Sequence, residues 1–212
     1  MEIPQHQYQL KFQQTEGLVR RFSDENRIKK YLEALQNHSP HTLNHSFRVA
    51  ILCVDLGYEN EFKEREAQLL GHAGLLHDIG KVQIPLEVLD KNSVLTSFER
   101  ELVNDHVRSG AQAVHGFGDN LRRIIIGHHE YQKNPYPRKE TERRTMERKE
   151  RDRRESNPLV ESLTEILAAS DLYDALRSER AYKPSKDGDE TRRIMLVQYT
   201  GDLKYINQLL TR

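Results

Sequence analysis

From Ser23 onward the apolar residues recur three and four positions apart, and nowhere does an apolar–polar alternation run convincingly beyond four residues. Amphipathic strands are therefore disfavoured, and the pattern predicts helices that each bury one face. Leu43, Phe47, Ala50 and Ile51 share such a face, as do Ala67, Leu70, Ala73 and Leu76. Further faces follow at Phe98, Leu102 and Val103, at Leu121, Ile124 and Ile125, and at Leu159, Leu163, Ile166 and Leu167. Thr96 and Glu99 have the spacing of a capping box and predict a helix opening at about residue 97. Gly80, Gly110 and Gly116 stand where helices could stop. The expected architecture is all-α: one bundle of five to eight helices over residues 23–211. A polar, glutamine-rich segment at 1–22, extended or disordered, precedes it.

Charge excludes several function classes. The chain carries 33 Lys+Arg against 33 Asp+Glu, so neither a basic nucleic-acid binder nor an acidic tail is expected. A single cysteine, Cys53, rules out a disulfide framework and reads as a buried core residue. No apolar run is long enough to span a membrane, and the first residues lack the apolar core of a secretory signal. The expectation is a cytoplasmic protein without membrane partners. Residues Arg138–Glu155 hold nine basic and six acidic side chains among eighteen, with Met146 the one apolar residue. Such a stretch has no face to bury, so 138–156 is expected to be a solvated insertion.

The histidines number ten, and several continue apolar stripes. Phe98, Leu102 and His106 lie four apart, as do Ile124 and His128, Ile125 and His129, Leu163, Leu167 and Asp171, and His45, Val49 and Cys53. Leu70, Ala73 and His77 follow the same face at three- and four-residue steps. Asp78 sits beside His77. Separate helices thus each aim a histidine or an aspartate inward. A buried carboxylate is costly without a partner, and so many convergent groups are hard to satisfy without a cation. Helical bundles build metal sites in this way. His6, His38, His72 and His115 continue no stripe and are read as surface or locally hydrogen-bonded residues.

Leu75–Pro85 reads LLHDIGKVQIP and resembles the signature of the HD superfamily of metal-dependent phosphohydrolases, in the form of its HD-GYP branch. His45-Ser46-Phe47-Arg48, His106 with Gly110-Ala111, His128-His129-Glu130, and Asp171-Leu172-Tyr173-Asp174 followed by Arg180 and Lys183 are similar to the branch's other motifs, in the same order. The resemblance implies that His45, His77, Asp78 and Asp171 are the common metal ligands. His106, His128 and His129 would hold a second ion, with Asp78 bridging. It implies two divalent transition metals, iron or manganese favoured over zinc or nickel. Lys81 would act with Asp78 in catalysis and bind the reacting phosphate. Arg180 and Lys183 would bind substrate phosphates.

Three departures stand out. The branch's glycine-rich stretch after the paired histidines normally ends Gly-Tyr-Pro; here that position reads Tyr131-Gln132-Lys133-Asn134-Pro135-Tyr136-Pro137, one residue shorter and with Pro in place of that Gly. Where the branch it resembles often has an acidic residue that would serve a third metal with Asp174, this chain has His41, and where the branch has a short connector it has the insertion at 138–156. The resemblance implies a phosphodiesterase acting on cyclic di-GMP through a water activated by two metals. Alternatives are an HD phosphohydrolase for another nucleotide or phosphoester, and a catalytically silent metal-binding signalling module. Any signalling input would come from a partner or a homodimer.

Overall fold

Helix boundaries follow local chemistry. The computed structural model describes residues 5–133, 135, 157–178 and 185–212, with side chains from residue 13. Helix α1 spans Gln5–Ser23, α2 Asn26–His38, α3 Pro40–Glu59 and α4 Glu64–Leu76. A 3₁₀ segment, Ile79–Gln83, leads to α5 (Leu86–Leu89), α6 (Ser97–Asn104), α7 (His106–Ala113) and α8 (Asp119–Gly127). Beyond the insertion lie α9 (Pro158–Arg177), α10 (Gly188–Gln198) and α11 (Leu203–Leu209). Ser39 ends α2 in an extended conformation before Pro40, and its hydroxyl caps α3 by accepting from the Thr42 amide. Asn157 before Pro158 repeats the device for α9. The capping box of Thr96 and Glu99 is formed in full.

The architecture is all-α, as expected, although the chain divides into more helical segments than five to eight. One reason is a break at Asp105, which separates α6 from α7. His106 therefore does not continue the stripe of Phe98 and Leu102: Phe98 is 70% exposed, while His106 is buried as the first residue of the next helix. The N-terminal expectation also needs correction. Gln5–Ser23 is helical, not extended, because Val19 and Phe22, three apart, enter the common core and anchor α1 against α3 and α4. No described helix is long and apolar enough to cross a membrane. The insertion at 138–156 lies outside the described residues.

Glycines act here as contact surfaces. A Cβ at Gly74 would sit 2.4 Å from Ala50 Cα, so α3 and α4 touch backbone to backbone. Gly80 and Gly110 do not stop helices but face one another. A Cβ at Gly80 would meet the His106 carbonyl oxygen at 2.0 Å and the Gly110 nitrogen at 2.6 Å. That contact docks the 3₁₀ segment on α7 and brings Asp78 to His106. Gly80→Ala is accordingly expected to lose about 1–3 kcal/mol in denaturant unfolding, as overpacked cores do, because backbone must move. A variant as stable as the parent would show that this junction yields freely.

Candidate metal centre

Five separate segments deliver the polar groups of the interior. His45 comes from α3, and His77 with Asp78 from the end of α4. His106 opens α7, His128 and His129 follow α8, and Asp171 lies on α9. His45, His77, Asp78, His106, His128 and Asp171 are all buried. The stripes that place His45 with Val49 and Cys53, and Asp171 with Leu163 and Leu167, are both buried on single helices.

Asp78 stands at the middle. Its Oδ2 lies 3.4 Å from His77 Nε2 and 3.8 Å from His45 Nε2, while Oδ1 lies 3.3 Å from His106 Nε2. The two oxygens thus face different histidine groups. Asp171 Oδ1 is 3.0 Å from His45 Nε2 and 3.8 Å from His77 Nε2, and its Oδ2 is 4.0 Å from His129 Nδ1. Lys81 donates to Asp78 Oδ2 at 2.6 Å.

The imidazoles are oriented through their outer nitrogens. His77, His106 and His128 each donate from Nδ1 to the carbonyl three residues earlier: Gly74 at 2.9 Å, Val103 at 2.6 Å and Ile125 at 2.6 Å. His45 donates from Nδ1 to Asp174 Oδ2 at 2.7 Å. The three carbonyl contacts fix the proton on Nδ1 and leave the lone pair on Nε2, the form a metal ligand takes, whereas His45 also meets Asp171 Oδ1 through Nε2 at 3.0 Å. Asp174 is itself gripped by Arg48, whose Nε lies 2.7 Å from Oδ1 and Nη2 3.0 Å from Oδ2, and by Ser178. It is committed to orienting His45, while His41 is exposed. Asp174 shares a helical face with Asp171 three residues earlier, which is the sequence signal for this role.

Burial governs the protonation of the second histidine group. It pushes His106 down to about 3, His129 down to about 4, and His128 well below its ordinary range. All three are neutral donors near pH 7. His45 goes the other way: burial disfavours its charge, but hydrogen bonds to Asp171 and Asp174 outweigh that and raise it to about 9. Burial would raise Asp78 and Asp171, yet Lys81 and His77 hold the first, and His45 and His77 the second, well below the usual carboxylate range.

The donor set fits a divalent transition metal. Three groups have ligand atoms close enough to hold an ion: His45, His77 and Asp78; His77, His128 and Asp171; and His106, His128 and His129. His77 Nε2 and His128 Nε2 are buried without a hydrogen-bond partner among the described residues. Such orphaned lone pairs, aimed into a shared interior, are what a cation would satisfy. Arg180 and Lys183 lie outside the described residues. Of the other histidines, His38 bonds the Ile84 carbonyl, His72 pairs with Glu25 and His115 is exposed, while the His6 side chain lies outside the described residues. Cys53 is buried, and burial drives its thiol up to about 12. Gln132, which had no signal in the sequence, contacts His129 Nδ1 at 2.9 Å.

Residues 31–151 match the family model described as HD domain. The 3'3'-cGAMP-specific phosphodiesterase 2 of Vibrio cholerae is 28% identical over 78% of the chain and 30% of its own length. A cyclic di-GMP phosphodiesterase of the same organism is 33% identical over 61% of the chain and 25% of its own. The chain spans between a quarter and two fifths of the length of the curated relatives it matches. The HD domain of the L. monocytogenes phosphodiesterase PgpH, solved in complex with cyclic-di-AMP, superposes with a TM-score of 0.55 at 17% identity. That match covers 85% of this chain and 92% of the other, a likeness of fold.

Proposed function

The chain belongs to the HD-domain family, and from that premise we propose that it is a metal-dependent phosphodiesterase hydrolysing cyclic di-GMP with two divalent ions, iron or manganese. The observation that carries this reading is Asp78, whose two oxygens face separate histidine groups. His45, His77, Asp78 and Asp171 would hold one ion. His106, His128 and His129, with the other oxygen of Asp78, would hold the second. When bound, such a pair neutralises phosphoryl charge and makes a water nucleophilic near neutral pH.

The chain's own residues supply the rest. Lys81 stands half-buried beside Asp78 and adds positive charge where a phosphate would lie. Asp174, gripped by Arg48, holds the His45 ring in place through Nδ1. The neutral His106, His128 and His129 need lose no proton before ligating. Arg180 and Lys183 are assigned to the non-reacting phosphates. The names of the relatives support a cyclic dinucleotide as substrate.

A second substrate, another nucleotide or phosphoester, is favoured by one feature. Where the HD-GYP-like stretch would be glycine-rich, Gln132 is held in an antiparallel bridge to Tyr199. Turnover of cyclic di-GMP, 3'3'-cGAMP and cyclic-di-AMP by manganese-loaded protein separates these readings. Linear dinucleotide or mononucleotide from cyclic di-GMP is expected. His106→Ala and His129→Ala should each lower bound metal by about half and cut turnover by orders of magnitude, as loss of one ion of a pair does. Unchanged metal content in both variants would make these histidines ordinary core residues. Metal without turnover on any phosphoester would make the chain a silent binding module.

A further inference from the structure

Five histidines meet in the cluster, and four are held at Nδ1 by a pure acceptor: a main-chain carbonyl for His77, His106 and His128, the Asp174 carboxylate for His45. A pure acceptor admits one neutral tautomer. His129 is different: its Nδ1 meets the side-chain amide of Gln132, with Nε2 of the amide 2.9 Å away, and Asp171 Oδ2 stands farther off at 4.0 Å. An amide offers a donor at one end and an acceptor at the other. With its nitrogen toward the ring, Gln132 donates to Nδ1, which uses that lone pair and leaves the proton on Nε2. Neither ring nitrogen is then offered to a cation. With its oxygen toward the ring, Nδ1–H donates and Nε2 presents its lone pair.

The main chain of Gln132 is held on both sides. Gln132 bridges Tyr199, the Lys133 amide donates to the Gln198 carbonyl at 2.7 Å, and the Thr200 amide donates to the Tyr131 carbonyl at 3.0 Å. Tyr199 is buried, and its hydroxyl donates to the Glu165 carbonyl at 3.1 Å. The Asp202 amide donates to Glu165 Oε2 at 2.8 Å. Glu165 belongs to α9, the helix that carries Asp171. The link between α10 and α11 is therefore tied to the same helix as one carboxylate of the cluster, and it fixes where the Gln132 amide sits.

We propose that Gln132 is the positioning residue of His129, and that the rotation of its amide decides whether His129 ligates. This rests on the metal reading above. The test compares wild type, Gln132→Glu and Gln132→Leu by ¹⁵N NMR of the histidine rings in metal-free protein and by equilibrium dialysis with Mn²⁺. Glutamate is a pure acceptor, so Gln132→Glu should show His129 protonated at Nδ1 and bind both ions at least as tightly as wild type. Gln132→Leu should give mixed His129 tautomers and weaken one ion about 10- to 100-fold, the usual effect of losing a group that orients a ligand, while sparing the other. Wild-type ring shifts and wild-type Mn²⁺ affinity in Gln132→Leu would overturn the proposal. If wild type bound no ion, the metal reading would fall. The ring shifts would then decide the role of Gln132 alone, with identical shifts in all three proteins refuting it.

Discussion

Asp78→Ala is expected to strip metal from both halves of the cluster and to lower phosphodiesterase turnover by at least about a thousandfold. Asp78 is the residue whose oxygens reach His45 and His77 on one side and His106 on the other, and it also holds Lys81. The effect should also show in stability. Mn²⁺ at a hundred times its dissociation constant stabilises a binding protein by about 2.7 kcal/mol. For a chain of this size that is a rise in Tm of roughly 5–10 °C. Wild type should show the rise and Asp78→Ala should not. A variant with full metal content and the same rise would show that Asp78 is a buried partner of Lys81 and no ligand.

Arg212→Ala should cost about 3–5 kcal/mol of folding stability, the toll of removing one partner from a buried ion pair. The Arg212 side chain is 6% exposed. Its guanidinium pairs with Asp55, whose side chain is 2% exposed, and with Glu59 Oε2 at 2.9 Å, while Nε donates to the Gln208 carbonyl. Asp55 and Glu59 lie on α3, the helix of His45, so Arg212 ties the C-terminal residues to the wall of the cluster. Denaturant unfolding should report the loss, and Arg212→Leu with Asp55→Leu should recover much of it, since apolar pairs often replace buried ion pairs without penalty. Metal stoichiometry should stay unchanged below the unfolding transition. A loss under about 1 kcal/mol would place this pair with the weak ones at the surface.

The legible parts of this protein are those that lie within one helix. The ladders ending at Asp171 and running through His45 follow a single period, so spacing alone places them inside. His106 reached the interior by another route: α6 ends, the chain turns at Asp105, and the close approach of Gly80 to α7 pulls the new helix in. Periodicity has no access to such a break, nor to glycines that serve as contact surfaces between segments. Helix α1 was hidden because its apolar residues are sparse among polar ones, although Val19 and Phe22 enter the core with Leu18 packed beside them. Gln132 was hidden because its role depends on Tyr199, far along the chain.

The three carbonyl contacts at Gly74, Val103 and Ile125 carry a further electrostatic consequence. Each lies in the last turn of its helix, so α4, α6 and α8 all direct their C-terminal ends at one interior point. A helix end of this kind bears roughly half a negative charge. These three ends favour cations, an effect partly offset by the N-terminal end of α7 at His106, and the Asp78 and Asp171 carboxylates add to the negative field. On the proposed metal reading, an order of loading follows: the metal-free chain should bind phosphate esters poorly at this point, and ions entering first would make the chamber anion-binding.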